Sequence, residues 1–241
     1  MDIRDVLARR SDLSTFLVHF TRDIDDGKSP RQNLKSILRS QTIEARTPFG
    51  PAVSLLTEKD IESQKCVSFS ETPLEYLYCL TQKIPKRRFK LSCYGLAFAK
   101  MAGRKKGINP VWYVDITPGH DWLMNPINDL IKHTRDRSRR FRRTPLSKIC
   151  PFIEQMGSGL GASGYGYRKE FWWEREWRHR GDFKFFWSDL VFGLCPENRI
   201  EEFEELTRKP ARKIRFVDPR WSLEKIIAHF AGCKEVLTPF D

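Results

Sequence analysis

Hydrophobic positions along the chain change period often, and the changes predict a mixture of short strands and helices. "STFLVHFT" is a compact apolar run and predicts a first core strand. It is followed by "SPRQNLKSILRSQTI", where Leu34, Ile37 and Leu38 recur at helical spacing, Ser29 stands at the N-cap position and Pro30 in the first turn. "RTPFGPAVSLL" reads as a loop, "KCVSFSET" as a strand carrying two serines, and "PLEYLYCLTQKI" as a helix opened by Pro73. "YGLAFAKMAG" predicts a strand running into a helix or turn, and "NPVWYVDIT" a further strand. "WLMNPINDLIKHTRDRSRRFRR" reads as a helix kinked at Pro126 with a basic end, and the glycine-rich "GSGLGASGYGYRKE" as a loop. "FWWEREWRHR" and "FKFFWSDLVFGLCPE" supply more strand, and the tail alternates helix, strand and helix through "RIEEFEELTR", "KIRFVD" and "LEKIIAHFAG". Strands scattered among helices without strict alternation place the chain in the α+β class.

No internal repeat or long linker divides the 241 residues, so one domain is expected, with a basic helical insert around 126–146 and a helix-strand-helix tail over 197–241. With 40% hydrophobic and 12% aromatic residues, the chain has the material for a sizeable core and is not of the disordered class. No apolar run reaches the roughly 18 residues that span a bilayer. The charged start "MDIRDVLARRSDLSTF" lacks the apolar core of a signal peptide, and a cytoplasmic protein is expected. The six cysteines, at 66, 79, 93, 150, 195 and 233, form no CxxC pair and mostly sit in apolar contexts; they read as buried thiols, and no metal site is expected.

Charge adds a partner class. Lysine and arginine number 43 against 31 acidic residues, a net charge of +12, which favours a polyanionic partner. The excess peaks in "KHTRDRSRRFRR", where Lys132, Arg135, Arg137, Arg139, Arg140, Arg142 and Arg143 face only Asp136. Arg139, Arg140, Arg142 and Arg143 are the candidate nucleic-acid contacts, since such a run repels itself unless anions meet it. A solvated helix face is the alternative. The glycine run has no Gly-Lys-Ser/Thr ending and so is not a phosphate cradle.

Three polar features stand among apolar strand positions: His19 in "LVHFT", Ser68 and Ser70 in "VSFSE", and Glu174 and Glu176 in "WEREW". Residues two apart in an extended strand point the same way, so the two glutamates are expected to face one site. Burying such groups without partners is costly, and a ligand or their mutual pairing would supply partners. Pairing of the glutamates with Arg175, Arg178 or Arg180 is the plainer alternative.

The order of these features resembles the ADP-ribosyltransferases, whose first core strand carries an Arg or His, a second a Ser-x-Ser element and a later one a Glu-x-Glu. The resemblance implies a split mixed sheet flanked by helices, NAD as co-substrate and a nucleic-acid or protein acceptor. On that pattern His19 holds the NAD ribose or phosphate side, Ser68 supports the binding strand and Glu176, and Ser70 is a further cofactor-binding residue. Glu176 is the ribose-facing catalytic residue and Glu174 the acceptor-side one. A carboxylate there would stabilise the oxocarbenium-like cation left by nicotinamide departure, and Phe69, Trp172, Trp173 or Trp177 would offer a ring to stack nicotinamide. The pattern departs from the family in lacking a tyrosine placed just after the serine strand; Tyr76 and Tyr78 lie on the next helix.

A longer resemblance covers roughly residues 14 to 200. "HFTRD", "NLKSIL", "SFSETPLEYL", "YGLAFAK", "PVWYVD" and "KEFWWEREWRHRGDF" are similar to the AbiGi family of bacterial abortive-infection proteins, which carries an antitoxin role in phage resistance. It implies phage defence and a partner chain. Two functions are therefore expected: an NAD-dependent transferase of a defence system, or a catalytically inert antitoxin or nucleic-acid-binding module.

Overall fold

The computed structural model describes residues 10–22, 27–84, 90–137, 140–160, 166–208 and 213–233. In chain order the strands are β1 (Phe16–Phe20), β2 (Thr42–Ile43), β3 (Thr47–Pro48), β4 (Lys65–Ser70), β5 (Gly95–Ala99), β6 (Asn109–Pro110), β7 (Trp112–Asp115), β8 (Ile153–Leu160), β9 (Gly166–Lys169), β10 (Glu176–Arg180), β11 (Phe183–Lys184), β12 (Leu190–Leu194) and β13 (Phe216–Val217). The helices are α1 (Pro30–Ser40), α2 (Glu58–Ile61), α3 (Leu77–Thr81), α4 (Lys100–Lys105), α5 (Met124–Arg137), α6 (Pro145–Ile149), α7 (Ile200–Leu206) and α8 (Leu223–Ala231). This is the expected α+β mixture. The chain packs into two compact units, one of Met1–Gln41, Glu71–Gly103 and Phe185–Asp241, the other of Thr42–Ser70 and Arg104–Lys184.

The first unit is built on strands ordered β13-β12-β5-β1, with β13 parallel to β12 and the other pairs antiparallel. Its core joins Val18, Phe20, Ala97, Phe192, Leu194 and Val217 of the strands to Leu77 and Leu80 of α3 and Ile226 of α8, so helices cover the sheet. The apolar runs that read as strands are those buried between layers. Helix α1 starts as its sequence dictates: the Ser29 side chain accepts from the Gln32 amide, the Gln32 side chain accepts from the Ser29 amide, and Pro30 occupies the first turn. Leu34 and Leu38 turn inward.

In the second unit β10 lies between β4 and β6, antiparallel to both, and β3 pairs with β4. Strands β11 and β2 form a short pair, and β8 lies between β7, parallel, and β9, antiparallel. Three expectations are corrected here. The "NPVWYVDIT" segment is two strands, because the chain breaks at Val111: β6 pairs with β10 and β7 with β8. The glycine-rich run opens as strand, since Gly157, Ser158, Gly159 and Leu160 pair with Lys169, Arg168, Tyr167 and Gly166. Its glycines serve close approach: a Cβ on Gly157, at φ +95°, would lie 2.4 Å from both Asp115 Oδ1 and Thr117 Oγ1. Finally, Pro126 falls in the first turn of α5, where a missing N–H costs nothing.

Among the described residues no helix is long and apolar enough to cross a membrane. All six cysteines are free thiols; Cys66, Cys150 and Cys195 are buried, Cys79 and Cys93 half-buried and Cys233 exposed. Burial pushes the thiols of Cys66, Cys150 and Cys195 up to about 12, which keeps them protonated and unreactive near neutral pH.

Candidate functional site

The antiparallel register of β4 and β10 sets Glu176 opposite Ser70 and Arg178 opposite Ser68. Ser68 Oγ donates to Glu176 Oε1 at 2.6 Å, and Ser70 Oγ donates to the Glu174 carbonyl at 2.5 Å. Four of the five proposed cofactor and catalytic residues therefore meet in the second unit. His19 belongs to the first unit, half-buried on β1 opposite Leu96 of β5.

Arg178 is the centre of this cluster. It lies on the same face of β10 as Glu176, is only 1% exposed, and donates to Glu176 Oε1 from Nε at 2.9 Å and to Oε2 from Nη2 at 2.7 Å. Its Nη2 also reaches Glu154 Oε2 at 2.5 Å and its Nη1 the Pro151 carbonyl at 2.7 Å. The guanidinium sits 3.9 Å from the Phe49 ring centroid, and Lys169 pairs with the other oxygen of Glu154. The Glu176 amide donates to the Tyr113 hydroxyl at 3.1 Å. Two carboxylates are thus balanced by two cations in a nearly closed network, with the guanidinium fork meeting the Glu176 carboxylate two-handed. The Glu176 carboxylate is held by Arg178 and Ser68.

The regular strand expected to carry both Glu174 and Glu176 is interrupted between them, although both carboxylates act electrostatically on the Tyr113 hydroxyl. Phe171–Glu174 is a 3-10 turn, and Arg175 takes a left-handed conformation at φ +47° before β10 begins at Glu176. Strand alternation starts at Glu176, two residues too late to include Glu174. Of the aromatic residues considered for stacking, Phe69 is core and packs edge-on against Phe183 with centroids 5.2 Å apart, Trp177 is half-buried, and Trp172 and Trp173 are exposed. Sequence reasoning missed Glu154, Tyr113 and Lys169. Pairing of a glutamate with Arg178 was among the alternatives, and the structure shows it, buried rather than on a solvated face; Glu154 comes from a distant segment that carries no sequence signal.

Burial raises the Glu154 carboxyl, but the charges of Arg178 and Lys169 outweigh it and leave its pKa below the ordinary 4.5. A carboxylate depressed in the folded state stabilises above its unfolded pKa, and that contribution is lost as pH falls through the folded one. Glu154→Gln is expected to remove this part of the acid sensitivity. Urea midpoints from pH 7 to pH 3 should fall less steeply in the variant, and parallel curves would contradict the assignment.

The basic segment makes a second surface. On α5, Lys132, Arg135 and Arg137 are exposed, as are Arg140, Arg142 and Arg143 around the 3-10 turn Phe141–Arg143; Arg139 lies outside the described residues. Phe141 is 1% exposed and packs with Ala52, Ile131 and Cys150. The segment is therefore pinned by one aromatic anchor while its cations face solvent. Of these, Arg135 pairs with Asp136.

A family model described as "Putative abortive phage resistance protein AbiGi, antitoxin" matches residues 35–217. No curated protein and no solved structure matches the chain. The family corrects the leading functional expectation. An antitoxin is defined by neutralising a partner, and the NAD-dependent transferase reading is overturned by it. The motif order that suggested transfer is accounted for by a serine and a glutamate paired across neighbouring strands around a buried arginine. The match spans most of the chain, and the protein belongs to the AbiGi family of abortive phage-resistance antitoxins.

Proposed function

We propose that this protein is a binding antitoxin: it neutralises the toxic protein of an abortive-infection pair by holding it in fixed stoichiometry, and it turns over no substrate. The family match over residues 35–217 carries this reading. The geometry agrees with it, because the carboxylate of Glu176 is already engaged by Arg178 and Ser68. The second unit also exposes large aromatic side chains of the kind that anchor protein interfaces, with Trp112 55%, Trp122 74% and Trp172 53% exposed. Size-exclusion chromatography of the purified chain mixed with its paired toxin is the test. A co-eluting complex of defined ratio is expected, and suppression of toxicity with no complex formed would overturn the reading.

One observation favours a second ligand class, nucleic acid. The arginines at 140, 142 and 143 are all exposed, on a chain of net charge +12. Replacing Arg139, Arg140, Arg142 and Arg143 with Gln is expected to weaken binding to a short duplex DNA. The slope of log affinity against log salt should shrink by about 0.9 for each phosphate that the variant no longer neutralises. Folding stability should change little, by about 0–1 kcal/mol, since solvated arginines contribute little to it. Identical slopes for the two proteins would remove nucleic acid from the account.

A further inference from the structure

An exposed run of like charge is ordinarily a mobile, solvated face, but the backbone beneath these arginines is clamped on every side. The Arg142 amide donates to Asp60 Oδ1 at 3.1 Å, and the Arg142 carbonyl accepts from Ser147 Oγ at 3.0 Å. The Arg143 amide donates to the Arg140 carbonyl at 3.0 Å and the Thr144 amide to the Phe141 carbonyl at 2.9 Å. Ser147 is fully buried, and its own carbonyl accepts from Gln64 Nε2 at 3.1 Å. With Phe141 turned into the core, residues 140, 142 and 143 are left pointing their side chains outward from a fixed turn. Asp60 is half-buried and spends one carboxylate oxygen on a main-chain amide of the basic segment. It acts as a clamp beneath the arginines.

We infer that the Phe141–Arg143 turn is a preformed phosphate-binding turn, in which Asp60 and Ser147 are positioning residues that hold Arg140, Arg142 and Arg143 for a nucleic-acid backbone. The inference rests on the nucleic-acid reading above and adds to it how the site is built. Arginine suits the task, because its planar fork grips phosphate oxygens in pairs and loses less freedom on binding when its backbone is already fixed. An extended carboxylate surface would meet the same cations. Phosphate is favoured by the make-up of the site, since it is arginine that dominates the cations of this segment and the chain's positive excess is concentrated around it, with 23 Lys and Arg against 10 Asp and Glu over residues 83–196.

The test turns on sign. Asp60→Asn removes a negative charge close to the arginines, so electrostatics alone predicts tighter binding to duplex DNA. A positioning role predicts the opposite, because the asparagine holds the Arg142 amide less strongly and the arginines must be ordered on binding. Affinity at fixed ionic strength should fall roughly fivefold, with the salt slope unchanged, as the cost of ordering freed side chains requires. Ser147→Ala, which changes no charge, should fall in the same direction, and it serves as the second variant should Asp60→Asn unfold. Equal or tighter DNA binding by both variants would overturn the positioning role. An unchanged slope in the quadruple arginine variant would overturn the nucleic-acid reading itself, whatever Asp60→Asn does. Loss of poly-glutamate binding in that variant, with DNA binding intact, would assign the turn to an acidic protein and overturn the proposal too.

Discussion

Replacing Arg178 with methionine is expected to destabilise the protein by about 3–5 kcal/mol, the usual cost of breaking a buried ion pair from one side. The guanidinium is only 1% exposed and serves Glu176, Glu154 and the Pro151 carbonyl together. Methionine fills much of its volume but leaves two carboxylates and a carbonyl facing apolar surface, where an uncompensated charge is costly. Lys169 still balances one oxygen of Glu154, so Glu176 should bear most of the loss. Adding Glu176→Gln to Arg178→Met should recover part of the stability, because the orphaned charge goes with it. An exposed pair gives the contrast: Arg135→Gln, which breaks only the surface ion pair with Asp136, should cost about 0–1 kcal/mol. Urea denaturation at pH 7 measures all three. An Arg178→Met loss no larger than that of Arg135→Gln would mean the network does not hold the second unit together.

Gly50→Ala is the second large effect, expected at about 3 kcal/mol or more from backbone strain and overpacking combined. Gly50 has φ +92°, a conformation that side chains rarely adopt, and a Cβ there would lie 2.0 Å from the Cys150 carbonyl oxygen. The obstacle is main chain, so no rotamer change relieves it. Gly119→Ala is the control: its φ is +86° but nothing lies within 4 Å of the added carbon, so only the backbone strain remains. A melting temperature lowered equally in the two variants would show that the close approach at Gly50 contributes nothing.

Much of the fold was legible because local chemistry and burial agree. The Ser29–Pro30 start of α1, the apolar runs of β1 and β5, and the helix, strand and helix of α7, β13 and α8 stand where the periodicity puts them. What escaped depended on partners distant in the sequence. Glycines normally mark loops, yet Gly157 and Gly159 sit in β8 because Asp115, Thr117 and Tyr167 crowd their faces. Alternation predicts a continuous strand through Glu174 and Glu176 because it is blind to a left-handed residue, and Arg175 turns the chain between them. The serine–glutamate pairing across β4 and β10 was anticipated as the support Ser68 gives Glu176. Its function was misread, because neither Glu154 nor the depth of Arg178 can be seen in "WEREWRHR". An arginine that two carboxylates share looks, in sequence, the same as one in solvent.

The central claim is that neutralisation is a matter of binding. It is tested most directly by measuring toxin activity against a rising molar ratio of this protein to its paired toxin. Protection should climb in proportion and become complete only near the ratio found in the isolated complex, because each bound toxin occupies one antitoxin. Full protection far below that ratio would mean that one molecule disarms many, the signature of turnover, and would contradict the account.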